Sequence, residues 1–259
     1  MKIKNSESSL FCGSSNFLQI SKEALGNKQP EIKLFKIELS QYSNIIDVLL
    51  KYLSPQEVLR AKRYHQLRDS NRFIICRSFL KILIAQQNKI DVSQVYFEKG
   101  DNHKPYFPLD KTLFFNVSHA GDFAIIAIGN CELGIDIEKV DDHFNYSEII
   151  PVVFSAIEIE AIHSSEQSRP MFYKFWTRKE AIVKAIGTGI DEGLIRLPVT
   201  DGFHNISSFL VCNFKNVRVT SFELNENHIG SLAITTNDIN NDSIAFYPNP
   251  TIEEIIGLI

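Results

Sequence analysis

Twice in this chain a long helical pattern is followed by a run of strand-like segments, and that repeated order restricts the fold more than any other feature. In the first half, residues 31–39 alternate as a strand. Ser54-Pro55 then supplies an N-cap and a first-turn proline, and helical text runs to about Gln87 with a break near Asp69-Ser70. Its second part, Arg72 to Ala85, is apolar nearly all round, which predicts a buried helix. Strands are expected at 94–98, 113–118 and 123–129, and the short gap at Asn130-Cys131 predicts a hairpin into a further strand, 132–138. In the second half, helical text covers 147–163, where Ser155 and Glu158 spell a capping box. An amphipathic helix spans about 170–186 and stops at Gly187 and Gly189. Strands are expected at 209–214, 217–224, 231–236 and 244–247, with a loop at 237–242 and a small terminal helix.

Helices followed by hairpins predict an α+β protein with mainly antiparallel sheets. Neither a GxGxxG fingerprint nor a Walker A loop is present, which argues against dinucleotide and P-loop folds. A length of 259 residues admits one large domain or two small ones. The similar element order of the halves predicts two pseudo-symmetric subdomains, 1–130 and 131–259, each a long helix packed on its own sheet. Nineteen Phe and eight Tyr are ample for a core without disulfides. The four cysteines are far apart and form no CxxC pair, which disfavours a thiolate zinc site and fits a reducing compartment. A formal net charge of −4 gives no global attraction to nucleic acid. The N-terminus has no signal-peptide apolar core, and the longest apolar run, Phe123 to Ile128, is too short for a bilayer. A cytoplasmic protein with no membrane contact is expected.

Four groups of residues could carry chemistry. In Gly134-Ile135-Asp136-Ile137-Glu138, strand alternation sends Leu133, Ile135 and Ile137 to the core and both acids to the other face, about 6.5–7 Å apart. Two carboxylates at that spacing suit a hard divalent cation, or else form the wet face of a half-exposed strand. On the 170–186 helix, Lys179 falls within the apolar face, so it must snorkel out or meet an anion. Glu180 and Lys184 stand at i, i+4, as a surface pair or as a carboxylate and a cation aimed at one centre. Ser118 and His119 end a strand, where they could bind an anion or cap a loop; no GxSxG elbow supports a serine nucleophile, and the two side chains point to opposite faces if the strand continues. Among Arg60, Lys62, Arg63, Arg72 and Arg77, only Arg77 lies on apolar text, where a buried ion pair and a ligand contact are equally good readings.

Together these pieces resemble the 4′-phosphopantetheinyl transferase superfamily, in its larger, surfactin-synthetase-activating type. The matching text is Lys104-Pro105, Asn116-Val-Ser118-His119, Gly134-Ile-Asp136-Ile-Glu138, Trp176-Thr-Arg-Lys179-Glu180-Ala-Ile-Val-Lys184 and Gly187-Thr-Gly189. The resemblance covers roughly residues 50–235; His103 stands where the family usually has glycine. It implies transfer of the 4′-phosphopantetheine arm of coenzyme A to a serine of an apo acyl or peptidyl carrier protein, with adenosine 3′,5′-bisphosphate as the other product. It implies Mg²⁺, or Mn²⁺ in its place, held by Asp136, Glu138 and Glu180, with Glu180 as metal ligand or as acceptor of the serine proton. Asp136, Glu180 and Lys184 would be the catalytic group. Arg60, Lys104, Ser118, His119, Lys179 and Lys184 would hold coenzyme A, so the site would lie where the subdomains meet. A monomer is expected. Two rivals share the same residues: a non-catalytic relative that only binds coenzyme A or a carrier protein, and a metal-dependent nucleotide phosphodiesterase.

Overall fold

The structure is a computed structural model and describes residues 6–19, 32–100, 103–189, 192–235 and 244–258. The chain opens with β1 (Glu7–Ser14), β2 (Leu18–Gln19) and β3 (Ile32–Glu38). Three helices follow: α1 (Ile46–Leu50), α2 (Pro55–Ala61) and the long α3 (Leu67–Asn88). Next come β4 (Glu98–Lys99), β5 (Pro105–Tyr106), β6 (Phe114–Ala120), β7 (Phe123–Gly129) and β8 (Leu133–Lys139). The second helical group is α4 (Ile150–Val153), α5 (Ala156–His163) and α6 (Ser168–Ile186). The chain finishes with β9 (Gly202–Ser207), β10 (Asn216–Asn225), β11 (His228–Ile234), β12 (Ile244–Tyr247) and α7 (Ile252–Ile256).

The fold is α+β, as expected. Two five-stranded sheets have the orders β2-β12-β3-β7-β6 and β8-β11-β10-β1-β9. Most pairings are antiparallel; β1 runs parallel to β10, and β12 runs parallel to β2 and β3. Each sheet carries one long helix on its outer face. Ile75, Phe79 and Ile82 of α3 pack with Phe35, Ile126 and Ile128 of the first sheet. Phe172, Phe175 and Ile182 of α6 pack with Leu10, Val217 and Val219 of the second. Between the sheets a third core joins Leu34, Ile125 and Ala127 to Leu133, Ile135, Ile137 and Leu232. Among the described residues, no helix is long and apolar enough to cross a membrane.

Local signals explain three of the helix starts, those of α2, α5 and α7. Ser54 and Glu57 form a reciprocal capping box at α2, and Ser155 and Glu158 do the same at α5. Gly187 ends α6 at φ 76°, a left-handed position that favours glycine. The break in the first helical stretch falls at 62–66, ahead of Asp69-Ser70. There the Ser70 hydroxyl reaches back to the Ala61 carbonyl and fastens the corner.

Four expectations are corrected. Asn130-Cys131 is not a hairpin turn: both edges of β7 are taken by β3 and β6, so β8 leaves that sheet and pairs with β11. Residues 94–98 are not a strand, because an Asp91–Gln94 capping box sets a 3-10 turn over Val92–Gln94 and only Glu98–Lys99 pair with β5. Residues 209–214 are not one either; a 3-10 turn covers Ser208–Val211, and Cys212 and Asn213 follow at positive φ. The strand instead lies at Gly202–Ser207. β1 was not expected, and its neighbours β9 and β10 lie some two hundred residues further on. Thus β1 lies in the sheet built mainly from the second half, and β12 in the sheet of the first. The 237–242 loop falls outside the described residues.

One contact sets how α6 lies on its sheet. A Cβ at Gly134 would stand 2.2 Å from the Ala181 carbonyl oxygen and 2.3 Å from the Ala185 nitrogen. The backbones of β8 and α6 therefore touch, which only glycine allows. Gly134→Ala is expected to lower stability by about 3 kcal/mol, since neither backbone can yield as a flexible side chain would. Urea denaturation of the purified variant checks this, and a change under ~0.5 kcal/mol would contradict the contact.

Candidate active site

β8 places its acids as alternation requires. Leu133, Ile135 and Ile137 are buried between the sheets, while Asp136 and Glu138 face α6. On α6, Trp176, Glu180 and Lys184 follow at i, i+4 and i+8, one line along the helix. The Lys184 ammonium donates to Asp136 Oδ1 at 2.6 Å. Ser118 on β6 donates to the same oxygen at 3.0 Å and accepts the Ile137 N–H at 3.2 Å. The Trp176 indole donates to Glu138.

The carboxylates are held under electrostatic load. Burial raises Asp136 above the usual range, against the opposing pull of Lys184 and Ser118. Burial, then the neighbouring Asp136, push Glu138 up to about 7, with Glu180 adding to the rise. Glu180 is raised by burial and then by Asp136. Asp136 Oδ2 and Glu180 Oε1 are both buried without a hydrogen-bond partner. Such orphaned oxygens are costly in an interior. Among the described residues, no three acidic, imidazole or thiol groups stand ready-made as a metal cluster, and the Lys184 ammonium lies on Asp136. The donor set nevertheless fits a hard cation: three oxygen-only side chains, two of them with an unused oxygen.

A cationic pocket of about 270 Å³ lies on the other face of β6. Arg60, Tyr64, Arg72, Phe73, Arg77 and His119 line it. Arg60 lies over the Phe73 ring at 4.8 Å. Partial desolvation and then the Arg72 charge lower His119 below the ordinary imidazole value. Because β6 continues to Ala120, Ser118 and His119 do point apart: the serine toward Asp136, the imidazole into the pocket. Arg77 makes the ion pair that was one of its two readings. It pairs with Glu57 at 3.4 Å, stacks on Phe97 at 4.7 Å and still lines the pocket.

Three residues expected to hold coenzyme A have other partners. Lys179 is 1% exposed and donates to Glu158 at 3.0 Å, Leu194 O at 2.7 Å and Leu197 O at 2.9 Å, so its three protons are engaged inside the core. It met an anion, but that anion is Glu158 of α5, whose carboxylate also caps its own helix and accepts the Val199 N–H. Lys104 bonds Glu132 at 2.6 Å and the carbonyls of Ala185 and Leu133 at 2.9 and 3.2 Å. Ser118 is buried against Asp136. Sequence reasoning also missed Arg178, fully buried beside Lys179, which joins Gly13, Val199, Ser221 and Asp201. Its one signal was an arginine with helical spacing to the apolar face. Arg72, which does not lie on apolar text, is a pocket wall.

Two predictions follow from these charges. Lys179→Met strands the Glu158 carboxylate and should cost about 3–5 kcal/mol of stability, read by urea denaturation. For Glu138, a folded pKa above the unfolded value of 4.5 means that the folded state binds the extra proton. Stability from this group is full below 4.5 and is lost as pH rises to about 7. Relative to Glu138→Gln, the wild type should therefore weaken across that window and hold a constant offset above it. A flat difference would contradict the burial of the charge.

The chain was compared with known proteins. Residues 132–237 match the family model described as the 4′-phosphopantetheinyl transferase superfamily, and residues 41–131 match the one described as 4′-phosphopantetheinyl transferase, N-terminal. A putative 4′-phosphopantetheinyl transferase of Synechocystis sp. is 29% identical over 76% of this chain and 85% of its own. The 4′-phosphopantetheinyl transferase HetI of Nostoc sp. is 30% identical over 62% of this chain and 70% of its own. The 4′-phosphopantetheinyl transferase Sfp of Bacillus subtilis is 28% identical over 59% and 67%.

Proposed function

The chain belongs to the 4′-phosphopantetheinyl transferase superfamily, as an enzyme of the Sfp type, and on that premise we propose that it moves the phosphopantetheine arm of coenzyme A onto a serine of an apo carrier protein. The observation that carries this reading is a set of three carboxylates and a lysine gathered where β8 meets α6, with two acid oxygens buried and unpaired, beside a cationic pocket. Residues 1–130 would supply the nucleotide contacts and 131–259 the acids.

In this proposal Arg60, Arg72 and His119 hold the nucleotide end of coenzyme A, including its 3′-phosphate. Arginine forks suit phosphate oxygens, and the Arg72 charge, second to desolvation, also acts on His119. Asp136, Glu138 and Glu180 would hold Mg²⁺ or Mn²⁺, which as a Lewis acid neutralises charge on the pyrophosphate when bound. Lys184 stabilises the negative charge that builds on the leaving phosphate as its bridging bond breaks. Glu180 would take the proton of the attacking serine at its unpaired Oε1. The nucleophile comes from the carrier protein.

The test is the mass of an apo carrier protein after incubation with the enzyme, coenzyme A and Mg²⁺. Phosphopantetheine addition is expected; release of adenosine bisphosphate with no carrier present would favour a phosphodiesterase instead. Asp136→Ala and Glu180→Gln should each lower the rate at least about 100-fold with melting curves unchanged. Mg²⁺ should raise the melting temperature of the wild type and not that of Asp136→Ala, a readout independent of turnover. Arg60→Ala should weaken coenzyme A more than its 3′-dephospho form. Equal weakening of both would remove Arg60 from the phosphate.

A further inference from the structure

Among the described residues β8 is an edge strand, with β11 as its one strand neighbour. Its outward backbone groups therefore have no ladder to join. Water cannot serve them all, because Leu133, Ile135 and Ile137 are at most 1% exposed. An unpaired buried N–H or C=O is destabilising, so each needs a partner. Three side chains supply one, at two-residue intervals along the edge. Lys104 Nζ donates to the Leu133 carbonyl at 3.2 Å. Asn116 Oδ1 accepts the Ile135 N–H at 3.0 Å. Ser118 Oγ accepts the Ile137 N–H at 3.2 Å.

We propose that Lys104, Asn116 and Ser118 form a side-chain ladder along the outer edge of β8 and act as positioning residues for Asp136 and Glu138. Residues 116 and 118 share one face of β6, and the amides they bind, 135 and 137, share one edge of β8. The two-residue period of one strand is thus read by the other. The amides on both sides of Asp136 are held, and a one-residue slip would turn both acids into the apolar core between the sheets. Lys104 adds the second direction, because the same ammonium binds the Ala185 carbonyl of α6. Ser118 also orients Asp136 directly through its hydroxyl proton. The ladder joins the sheet that bears the cationic pocket to the strand that bears the acids. It rests on the proposed role of those acids only for its effect on turnover.

The test begins with the wild-type protein in solution. A through-hydrogen-bond coupling between the Ile135 amide nitrogen and the Asn116 side-chain carbonyl carbon is expected; its absence overturns the ladder, whether or not the protein transfers phosphopantetheine. In Asn116→Ala the Ile135 amide should exchange with solvent about tenfold faster or more, and kcat should fall about tenfold, while KM for coenzyme A stays within about twofold. Asn116→Asp keeps an acceptor oxygen and should restore both readouts. Undiminished protection of Ile135 in Asn116→Ala overturns the proposal, as does a rise in KM with kcat unchanged, which would make Asn116 a ligand contact. Lost protection with unchanged turnover would equally overturn the positioning role. If Asn116→Ala does not fold, the wild-type coupling and the Asn116→Asp variant decide.

Discussion

Helix α6 can lie directly on β8 because residue 134 carries no side chain, and the cluster of acids and lysine between them depends on that approach. With the two backbones in contact, the line Trp176, Glu180, Lys184 comes to rest over Asp136 and Glu138. The lysine then bonds an acid at 2.6 Å, while two other carboxylate oxygens stay buried and unpaired. A well-packed core normally avoids such groups, because each one lowers stability. Here they persist beside a cationic pocket, and such perturbed groups cluster at functional sites.

The same helix shows how neighbouring charges divide between structure and chemistry. Arg178 and Lys179 turn into the core, where carbonyls, Asp201 and Glu158 engage them fully. Glu180 and Lys184 turn toward β8, where pairing is incomplete. A step of one residue around the helix, about 100°, separates a cation with three partners from a carboxylate with a free oxygen. The completed pairs anchor α6 to α5, β1 and β10, and so hold the incomplete ones in place.

The two halves are joined twice over. The sheets share an apolar core, and they exchange strands at their margins, with β1 in one and β12 in the other. Where β6 meets β8, however, no backbone ladder forms; side chains bridge the seam instead. That seam lies between the cationic pocket and the acids.

Much of this was legible in the residues alone. The N-cap and proline at Ser54-Pro55, the capping box at Ser155, the glycine stop at 187 and the alternation through 133–138 are local signals, and they named their elements correctly. The acids and the lysine of the centre were legible too, since Asp136, Glu138, Glu180 and Lys184 differ in type and spacing from the apolar text around them. Partner choice was not legible. Nothing near Lys179 announces Glu158, nothing near Lys104 announces Leu133 and Ala185, and β1 finds its neighbours across almost the whole chain. By itself the sequence determined which side chains share a face, because helix and strand periods are properties of the local backbone. Only the tertiary structure decided which cation meets which anion and which edge of β8 is left open, because those depend on groups far apart in the chain competing for the same buried space.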